Sequence, residues 1–400
     1  MKKTRMILFF IAVVILNIAA NLAHPITPTI IKNLNLKDYM FGAAYAAMMF
    51  SNFLFSPFWG KRNEYRNSKN TIALCCFGYS IGQLLFAISK TESTILCARV
   101  FSGVFTGGIF VSFLTYLVHI SMEEEKGRNL AILAALSSVA SAFGYFIGGT
   151  LGERSIMLVF LLQAGFLILS GILFWIVCEE DGKKECKPSF RQQIMTANPF
   201  AAFFEAKRFL NKRFTLIFLV CGLSFLGFTA FEQCFNYYIK DIFGLTSGYN
   251  GTIKAVIGIA SLLANATICI WIMKRTNIAK STICVLLICT SIIFAVAFTK
   301  NQTAFIGLSI LFFVINALII PITQEIVSTE AAAKDSSIVM GFYNGIKSLG
   351  GIFGALAAGA FYSLDPILPM VFGGISFLLA TMCAGLLLSK RSLILGKSMV

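Results

Sequence analysis

The chain has 400 residues, of which 57% are hydrophobic and only 13% are charged, and its mean hydropathy is +0.81. Soluble globular domains are not so apolar, so this is an integral membrane protein. The formal charge of +15 comes from basic residues scattered over loops. It therefore requires no nucleic-acid partner and instead favours contact with anionic membrane lipids.

Apolar stretches of about 20 residues, enough to cross the hydrocarbon core of a bilayer, recur along the whole chain. We predict twelve membrane-spanning helices and hence an all-α fold. Their limits are 6–24, 39–60, 72–89, 94–118, 129–152, 156–178, 214–239, 248–271, 281–299, 303–324, 337–361 and 366–389. The first stretch, with MKKTR before it and ANLA near its end, also resembles a secretory signal peptide, but its removal would leave eleven spans.

The basic residues predict the orientation, because Lys and Arg remain on the cytoplasmic side of short loops. With both termini inside, the cytoplasmic side carries 24 basic residues and the opposite side carries 6. Three more, Arg99, Lys254 and Lys347, lie inside predicted spans. We therefore expect a multi-pass protein of the cell (plasma) membrane with both termini in the cytoplasm.

The first span carries Asn17, Asn21 and His24 at i, i+4 and i+7, which places a polar stripe on an otherwise apolar helix. Polar stripes on several helices are typical of a water-filled cavity between them. The three residues are therefore candidate substrate or proton-coupling residues.

The segment after the second span, SPFWGKRNEYRNSKN (56–70), contains a turn glycine, Gly60, a carboxylate, Glu64, and Lys69. Here the chain resembles the major facilitator superfamily (MFS), whose loop has the form G-x-x-x-D-R-x-G-R-K. It departs from that form at Tyr65, Asn67 and Ser68. The resemblance implies a cytoplasmic gate at Gly60, Glu64 and Lys69. A plain positive-inside loop is the alternative.

The fourth span begins with Arg99 and Gly103, followed by Gly107 and Gly108, and is similar to the family's R-x-x-x-G-x-x-x-G pattern. A charged side chain at membrane depth is expensive, so Arg99 should face a wet cavity or a partner. The alternative is an arginine that reaches the outer surface.

The fifth span contains Gly144, Tyr145, Gly148 and Gly149, which is similar to the G-P-x-x-G-G of the family's drug-exporter branch. Tyr145 replaces the proline, so the kink usually attributed to this motif loses its main cause. The glycines still favour close helix packing or a hinge.

A long polar connection, residues 179–213, separates an N-terminal six-helix bundle (1–178) from a C-terminal one (214–400). A shift of 206 residues places Gly144 and Gly148 over Gly350 and Gly354. This internal repeat predicts two pseudo-symmetric bundles, and we assign the second glycine pair the same packing or hinge role.

The seventh span contains Glu232, the one acid placed deep within a span, and Lys254 lies at a similar depth in the eighth. In the eleventh span, Tyr343 and Asn344 precede Lys347 by about one turn. We hypothesise that Glu232 faces the cavity and changes partner or protonation during transport, pairing with Lys254 or Lys347. A fixed Glu232–Lys254 pair is the structural alternative.

The resemblance implies a secondary active transporter, an antiporter that moves a small solute by rocking-bundle alternating access, with proton-coupled efflux as the expected direction. Uptake or facilitated diffusion of an anionic or zwitterionic metabolite stays open, because three cations outnumber one acid within the spans. A membrane-embedded enzyme or a non-transporting receptor are the rivals from other classes. We expect a monomer with no cofactor and no metal, since no nucleotide-binding or metal-ligand spacing occurs.

Overall fold

The computed structural model of the chain describes residues 2–180, 197–205, 210–330 and 336–397. Within these ranges all regular structure is helical. The first helices are α1 (Lys2–Asn21), α2 (Thr27–Asn33), α3 (Met40–Tyr65), α4 (Ser68–Ile88), α5 (Glu92–Ile120), α6 (Glu123–Arg154), α7 (Ile156–Val177) and α8 (Ala201–Glu205). The others are α9 (Lys212–Asp241), α10 (Ser247–Ala264), α11 (Ile270–Arg275), α12 (Ile278–Phe298), α13 (Gln302–Asn316), α14 (Ile319–Glu330), α15 (Ser336–Tyr362) and α16 (Leu368–Lys397).

Short polar caps begin several of the long helices. The Thr91 hydroxyl accepts from the Thr94 N–H at 3.3 Å before α5, and the Ser155 hydroxyl accepts from the Leu158 N–H at 3.2 Å before α7. Each cap satisfies an amide that has no partner within the helix, so consecutive spans can be joined by very short connections.

Ten helical stretches in the described ranges are long and apolar enough to cross a membrane. Helices also occupy the predicted second and eleventh spans, α3 with 26 residues and α15 with 27. These two are long enough but less apolar. α15 contains six glycines and Lys347, and α3 ends in charged residues.

Two predicted spans are interrupted helices. A π-helical turn, Asn265–Cys269, joins α10 to α11 in the eighth span. The tenth span is divided between α13 and α14, and Pro321 lies at the start of α14, where it removes a backbone donor. Such interruptions leave backbone groups that neighbouring helices must satisfy.

The chain forms two compact units. Unit 1 comprises Met1–Met40, Ala47–Pro199 and Ile239–Ile259, and unit 2 comprises Phe41–Ala46, Phe200–Tyr238 and Ala260–Val400. Each unit therefore includes one short segment whose neighbours in the sequence on both sides belong to the other unit. The division predicted from the sequence, 1–178 and 214–400 joined by 179–213, stays a prediction, and residues 181–196 and 206–209 of that connection lie outside the described residues.

Candidate functional site

Arg99, on α5, is buried inside unit 1 with only 5% of its surface exposed. Its Nη2 donates to the Thr27 hydroxyl at 3.2 Å, its Nη1 lies 3.7 Å from the Met48 sulfur, and its guanidinium carbon is 4.0 Å from the centre of the Phe86 ring. The side chain does not reach solvent. Its partners are neutral, so the ring face and the hydroxyl compensate the buried charge only in part.

Two ionisable residues from distant parts of the sequence, His24 and Lys254, meet at Tyr145 in unit 1. His24 stacks on the Tyr145 ring with 5.6 Å between ring centroids, and the Lys254 ammonium lies 5.9 Å from the centre of the same ring. Arg99 and Lys254 are both near enough to act electrostatically on His24. The structure thus brings together His24, Arg99 and Lys254, three of the residues that the sequence singled out.

Tyr145 was missed as a site residue, because the sequence treated it only as a substitute for a motif proline. Its position one residue after Gly144, in the middle of the glycine motif, was the available indication. Its π face attracts cations, so it can share the charge of Lys254.

The polar stripe of α1 is paired with α6. Asn17 Nδ2 donates to the Ser137 hydroxyl at 3.2 Å, and Asn21 Nδ2 donates to the Ser141 hydroxyl at 3.0 Å. Each amide also donates to a carbonyl one turn earlier, Asn17 to Val13 and Asn21 to Asn17. The first span therefore uses these two amides to bind its neighbour, which is what a structural contact between membrane helices requires.

A second polar contact, between α3 and α5, was not predicted. Asn52 Nδ2 donates to the Thr106 hydroxyl at 3.2 Å, and Asn63 Nδ2 donates to the Ser112 hydroxyl at 2.8 Å. Single amides in apolar helices were the indication that sequence reasoning passed over.

Two fully buried glutamines, Gln83 on α4 and Gln163 on α7, were also missed. Gln163 Nε2 donates to the Ala19 carbonyl at 2.9 Å, while its Oε1 has no hydrogen-bond partner in the described part of the chain, and the Gln83 amide lies close to the Tyr79 hydroxyl. Buried amides without protein partners are typical positions for ordered water.

Glu232 lies in unit 2, half-buried on α9, nine residues before Asp241. It is near enough to act electrostatically on the Tyr45 hydroxyl, which belongs to the same unit. Lys254 belongs to unit 1, so the proposed Glu232–Lys254 pair stays a prediction.

Lys347, near the middle of α15, is half-buried, and its ammonium lies over two aromatic rings. The distances to the ring centres are 4.6 Å for Phe225 and 5.1 Å for Tyr343. The buried Tyr343 hydroxyl is 3.1 Å from the Thr323 hydroxyl, whereas Asn344 is exposed. Lys347 and Tyr343 therefore form one cluster, and Asn344 lies at its rim.

The glycines of both halves lie where helices touch. A Cβ added at Gly144 of α6 would collide with the carbonyl oxygen of Ile18 on α1, and one added at Gly148 would collide with that of Leu22, the residue that follows α1. On α15, Gly350 and Gly354 meet the carbonyl oxygens of Gly222 and Leu226 on α9 in the same way. The fifth glycine, Gly149, lies against Ser247 and Gly251 of α10, inside unit 1. At each of these positions a side chain would force the backbones apart.

The predicted gate segment has a different local structure from the one expected. Gly60 is not a turn glycine, because α3 continues through it to Tyr65 and only two residues separate α3 from α4. The helix continues beyond the apolar stretch with polar residues. The change from apolar to polar composition near Gly60 therefore does not mark the end of the helix. Glu64 pairs with Lys61 at 3.1 Å, and Lys69 pairs with Glu180 at 3.3 Å.

At the opposite end of unit 1, Lys32 joins two carboxylates. Its Nζ lies 3.0 Å from Asp38 and 2.6 Å from Asp241. Burial lowers the pKa of Lys32, but the hydrogen bonds to Asp241 and Asp38 raise it by more, so the pKa lies above the ordinary 10.5. Nearby, Glu153 accepts from the Thr246 hydroxyl and, at 3.1 Å, from the Gly248 N–H at the start of α10.

Comparison with known proteins identifies relatives over most of the chain. The model of the Major Facilitator Superfamily matches residues 9–355. Multidrug resistance protein 1 of Bacillus subtilis (strain 168) is 23% identical over 359 residues, 89% of each chain. The quinolone resistance protein NorA of Staphylococcus aureus is 26% identical over 244 residues, 60% of each chain. Among solved structures, a bacterial homologue of the human lysosomal transporter Spinster, inward-facing and occupied, has a TM-score of 0.77 at 13% identity over 96% of each chain.

Proposed function

The chain belongs to the major facilitator superfamily, and from this premise we propose that it exports a small solute across the cytoplasmic membrane by proton-coupled alternating access. It is a multi-pass membrane transporter with the family's fold of twelve helices, and not an enzyme in the usual sense. Export is supported by the names of two relatives, which describe resistance to drugs. Removal of a drug from the cell would produce such resistance.

The observation that carries the proposal is the position of Glu232. It is a carboxylate at membrane depth, half-buried on α9, with the Tyr45 hydroxyl within electrostatic range. A charged group in such a place has a functional role by default. In the proposed cycle Glu232 is the residue that carries the coupled proton as the transporter changes between its two orientations.

The composition of the two units supports alternating access. Residues 239–259 pack within unit 1, and residues 41–46 pack within unit 2. Gly149 and Gly251 touch through backbone atoms, and the Ser247 hydroxyl donates to the Gly149 carbonyl at 2.9 Å. Small residues, hydrogen bonds and the partly exposed Lys32–Asp241 ion pair hold this segment, and such contacts are individually worth about 1 kcal/mol or less. A transport cycle requires only a few kcal/mol of differential binding between its two orientations.

The positive-inside pattern supports an orientation with both termini in the cytoplasm. In that orientation Glu64 and Lys69 lie on the cytoplasmic side and the Lys32 link lies on the outer side. We further propose that the chain acts as a monomer and that protons are the coupling ion.

Glu232→Gln tests the coupling directly in proteoliposomes. An imposed pH step should accelerate solute flux through the wild-type protein, and the variant should lose the pH-driven component while solute exchange without a gradient continues. Glu325→Gln, which removes an exposed acid on α14, is the matched control and should behave as wild type. Full pH-driven flux in Glu232→Gln would refute the coupling role, and absence of flux in every variant would refute transport itself.

A further inference from the structure

The Lys347 ammonium has no ion-pair partner among the residues that the structure describes. It lies over the faces of Phe225 and Tyr343, near the middle of a 27-residue helix. Aromatic faces attract a cation, but they do not neutralise it. A cation at membrane depth therefore still gains from an anion that approaches its open side.

The inner side of this cluster is fixed. Tyr343 is fully buried and its hydroxyl is 3.1 Å from that of Thr323, while Cys221 behind it is 2% exposed. Burial and the hydroxyl contact fix the Tyr343 ring, so one of the two aromatic faces beside the Lys347 ammonium is preorganised. Preorganisation of this kind favours the binding of a ligand, since less side-chain freedom is lost.

The outer side of the cluster is open. Asn344 lies one turn before Lys347 on the same side of α15. Asn344 is exposed and its side-chain amide has no hydrogen-bond partner among the described residues, so the amide is available to a ligand. One turn further along, Gly351 has no side chain, and the Thr229 hydroxyl would lie 3.6 Å from a Cβ placed there.

We propose that Lys347 binds the anionic group of an amphiphilic organic anion, a carboxylate or a sulfonate attached to an apolar or aromatic body. The ammonium supplies the charge, the Asn344 amide donates a hydrogen bond to the same anionic group, and the half-buried Phe225 ring contacts the apolar body. This names the substrate class of the transporter and rests on the proposed function. A lipophilic cation would meet the same ammonium with repulsion.

A matched pair of probes tests the assignment on the purified full-length protein in detergent. 1-Naphthylacetate and 1-naphthylmethylammonium share an aromatic body and differ in the sign of their charge. Isothermal titration calorimetry should show that wild-type protein binds the anion more tightly than the cation. Lys347→Gln should weaken anion binding about tenfold or more, because a charge-assisted contact is lost, while Lys347→Arg should stay within a few-fold of wild type. Lys280→Gln, which removes an exposed lysine, should bind as wild type.

A preference for the cation, equal affinities in Lys347→Gln and Lys280→Gln, or no binding of the anion by wild-type protein would overturn the proposal. If Lys347→Gln does not fold, thermal unfolding of wild-type protein gives the second readout. The anion should raise the unfolding temperature and the cation should not, and the reverse result counts against the assignment. Binding in detergent needs no gradient, so selective anion binding without flux would contradict the proposed transport and leave this inference standing.

Discussion

The helix pair α1/α6 of unit 1 and the pair α9/α15 of unit 2 share a backbone arrangement and differ in their side chains. In each unit two glycines four residues apart touch carbonyl oxygens of the partner helix, Gly144 and Gly148 in the first, Gly350 and Gly354 in the second. The close approach of the helices is therefore common to both halves of the sequence.

The side chains beside these glycines have diverged. An offset of 204 residues takes Asn17 and Asn21 of α1 to Cys221 and Phe225 of α9, and an offset of 206 takes Ser137 and Ser141 of α6 to Tyr343 and Lys347 of α15. Neutral hydrogen bonds in unit 1 thus correspond to an ammonium over aromatic rings in unit 2. Small residues determine how the helices pack, and of these two helix pairs only the one in unit 2 has a charge at this position.

The largest expected effect concerns the shared part of the comparison. Gly148→Leu and Gly354→Leu each place a side chain on a backbone carbonyl, so each should cost more than about 3 kcal/mol and prevent recovery of folded protein. Gly307→Ala, at a glycine with nothing within 4 Å, should leave the unfolding temperature in detergent nearly unchanged. If the unfolding temperature of Gly148→Leu is no lower than that of Gly307→Ala, α1 and α6 do not make this close contact.

The next comparison is between residues 41–46, which pack in unit 2, and residues 239–259, which pack in unit 1. In unit 2, Phe41 stacks on Tyr237 with 4.7 Å between ring centroids and meets Tyr362 edge to face at 5.4 Å. Phe41→Ala should therefore cost about 3 kcal/mol. In unit 1, Ser247→Ala removes one hydrogen bond to Gly149 and should cost about 0.6 kcal/mol. Thermal unfolding of the two purified variants measures both losses of stability. Equal losses would show that the two segments are held equally strongly.

Substitution of the divergent side chains should lower the stability of unit 1 but not that of unit 2. Asn17→Ala removes the hydrogen bond to Ser137 and should lower the free energy of unfolding by about 0.6 to 1.7 kcal/mol. Lys347→Met replaces a charge by an apolar side chain of similar length and should raise the free energy of unfolding slightly or leave it unchanged. Chemical unfolding in detergent measures both. A large loss of stability in Lys347→Met would show that the lysine holds unit 2 together.

The smallest effect concerns the charged end of unit 1, which contrasts with the neutral hydrogen bonds between α1 and α6. The raised pKa of Lys32 means that its contribution to stability is complete below the ordinary pKa and is lost only as the pH rises through the folded value. The difference in unfolding temperature between wild type and Lys32→Met should therefore be constant between about pH 6 and pH 9. A difference that vanishes by about pH 8 would contradict the assigned bridge to Asp38 and Asp241.

The helices could be predicted from the sequence because apolar runs of membrane length are local features. Helices occupy all twelve predicted spans. The glycine pattern likewise gave Gly144 and Gly148 together with their repeats, since an offset of 206 is readable without a structure. The predicted turn at Gly60 was wrong, because α3 continues with polar residues beyond the apolar stretch and nothing at Gly60 requires the helix to stop.

The candidate site was less predictable, because its members meet through tertiary contacts. His24, Arg99 and Lys254 were identified one by one as polar groups in apolar surroundings, but Tyr145, the neighbour of His24 and Lys254, was not. Gln83 was overlooked for the same reason, since a single amide in a helix shows no periodicity. The role of Glu232 and its partner stay predictions.

We propose that the charged helix pair α9/α15, and not the neutral pair α1/α6, governs solute recognition. This is tested most directly by pH-driven flux of 1-naphthylacetate in proteoliposomes, measured side by side for two variants at equivalent positions. Ser141→Ala should transport within about twofold of wild type, and Lys347→Gln should transport about tenfold or more slowly. Equal rates for the two variants, or a greater loss in Ser141→Ala, would contradict the claim.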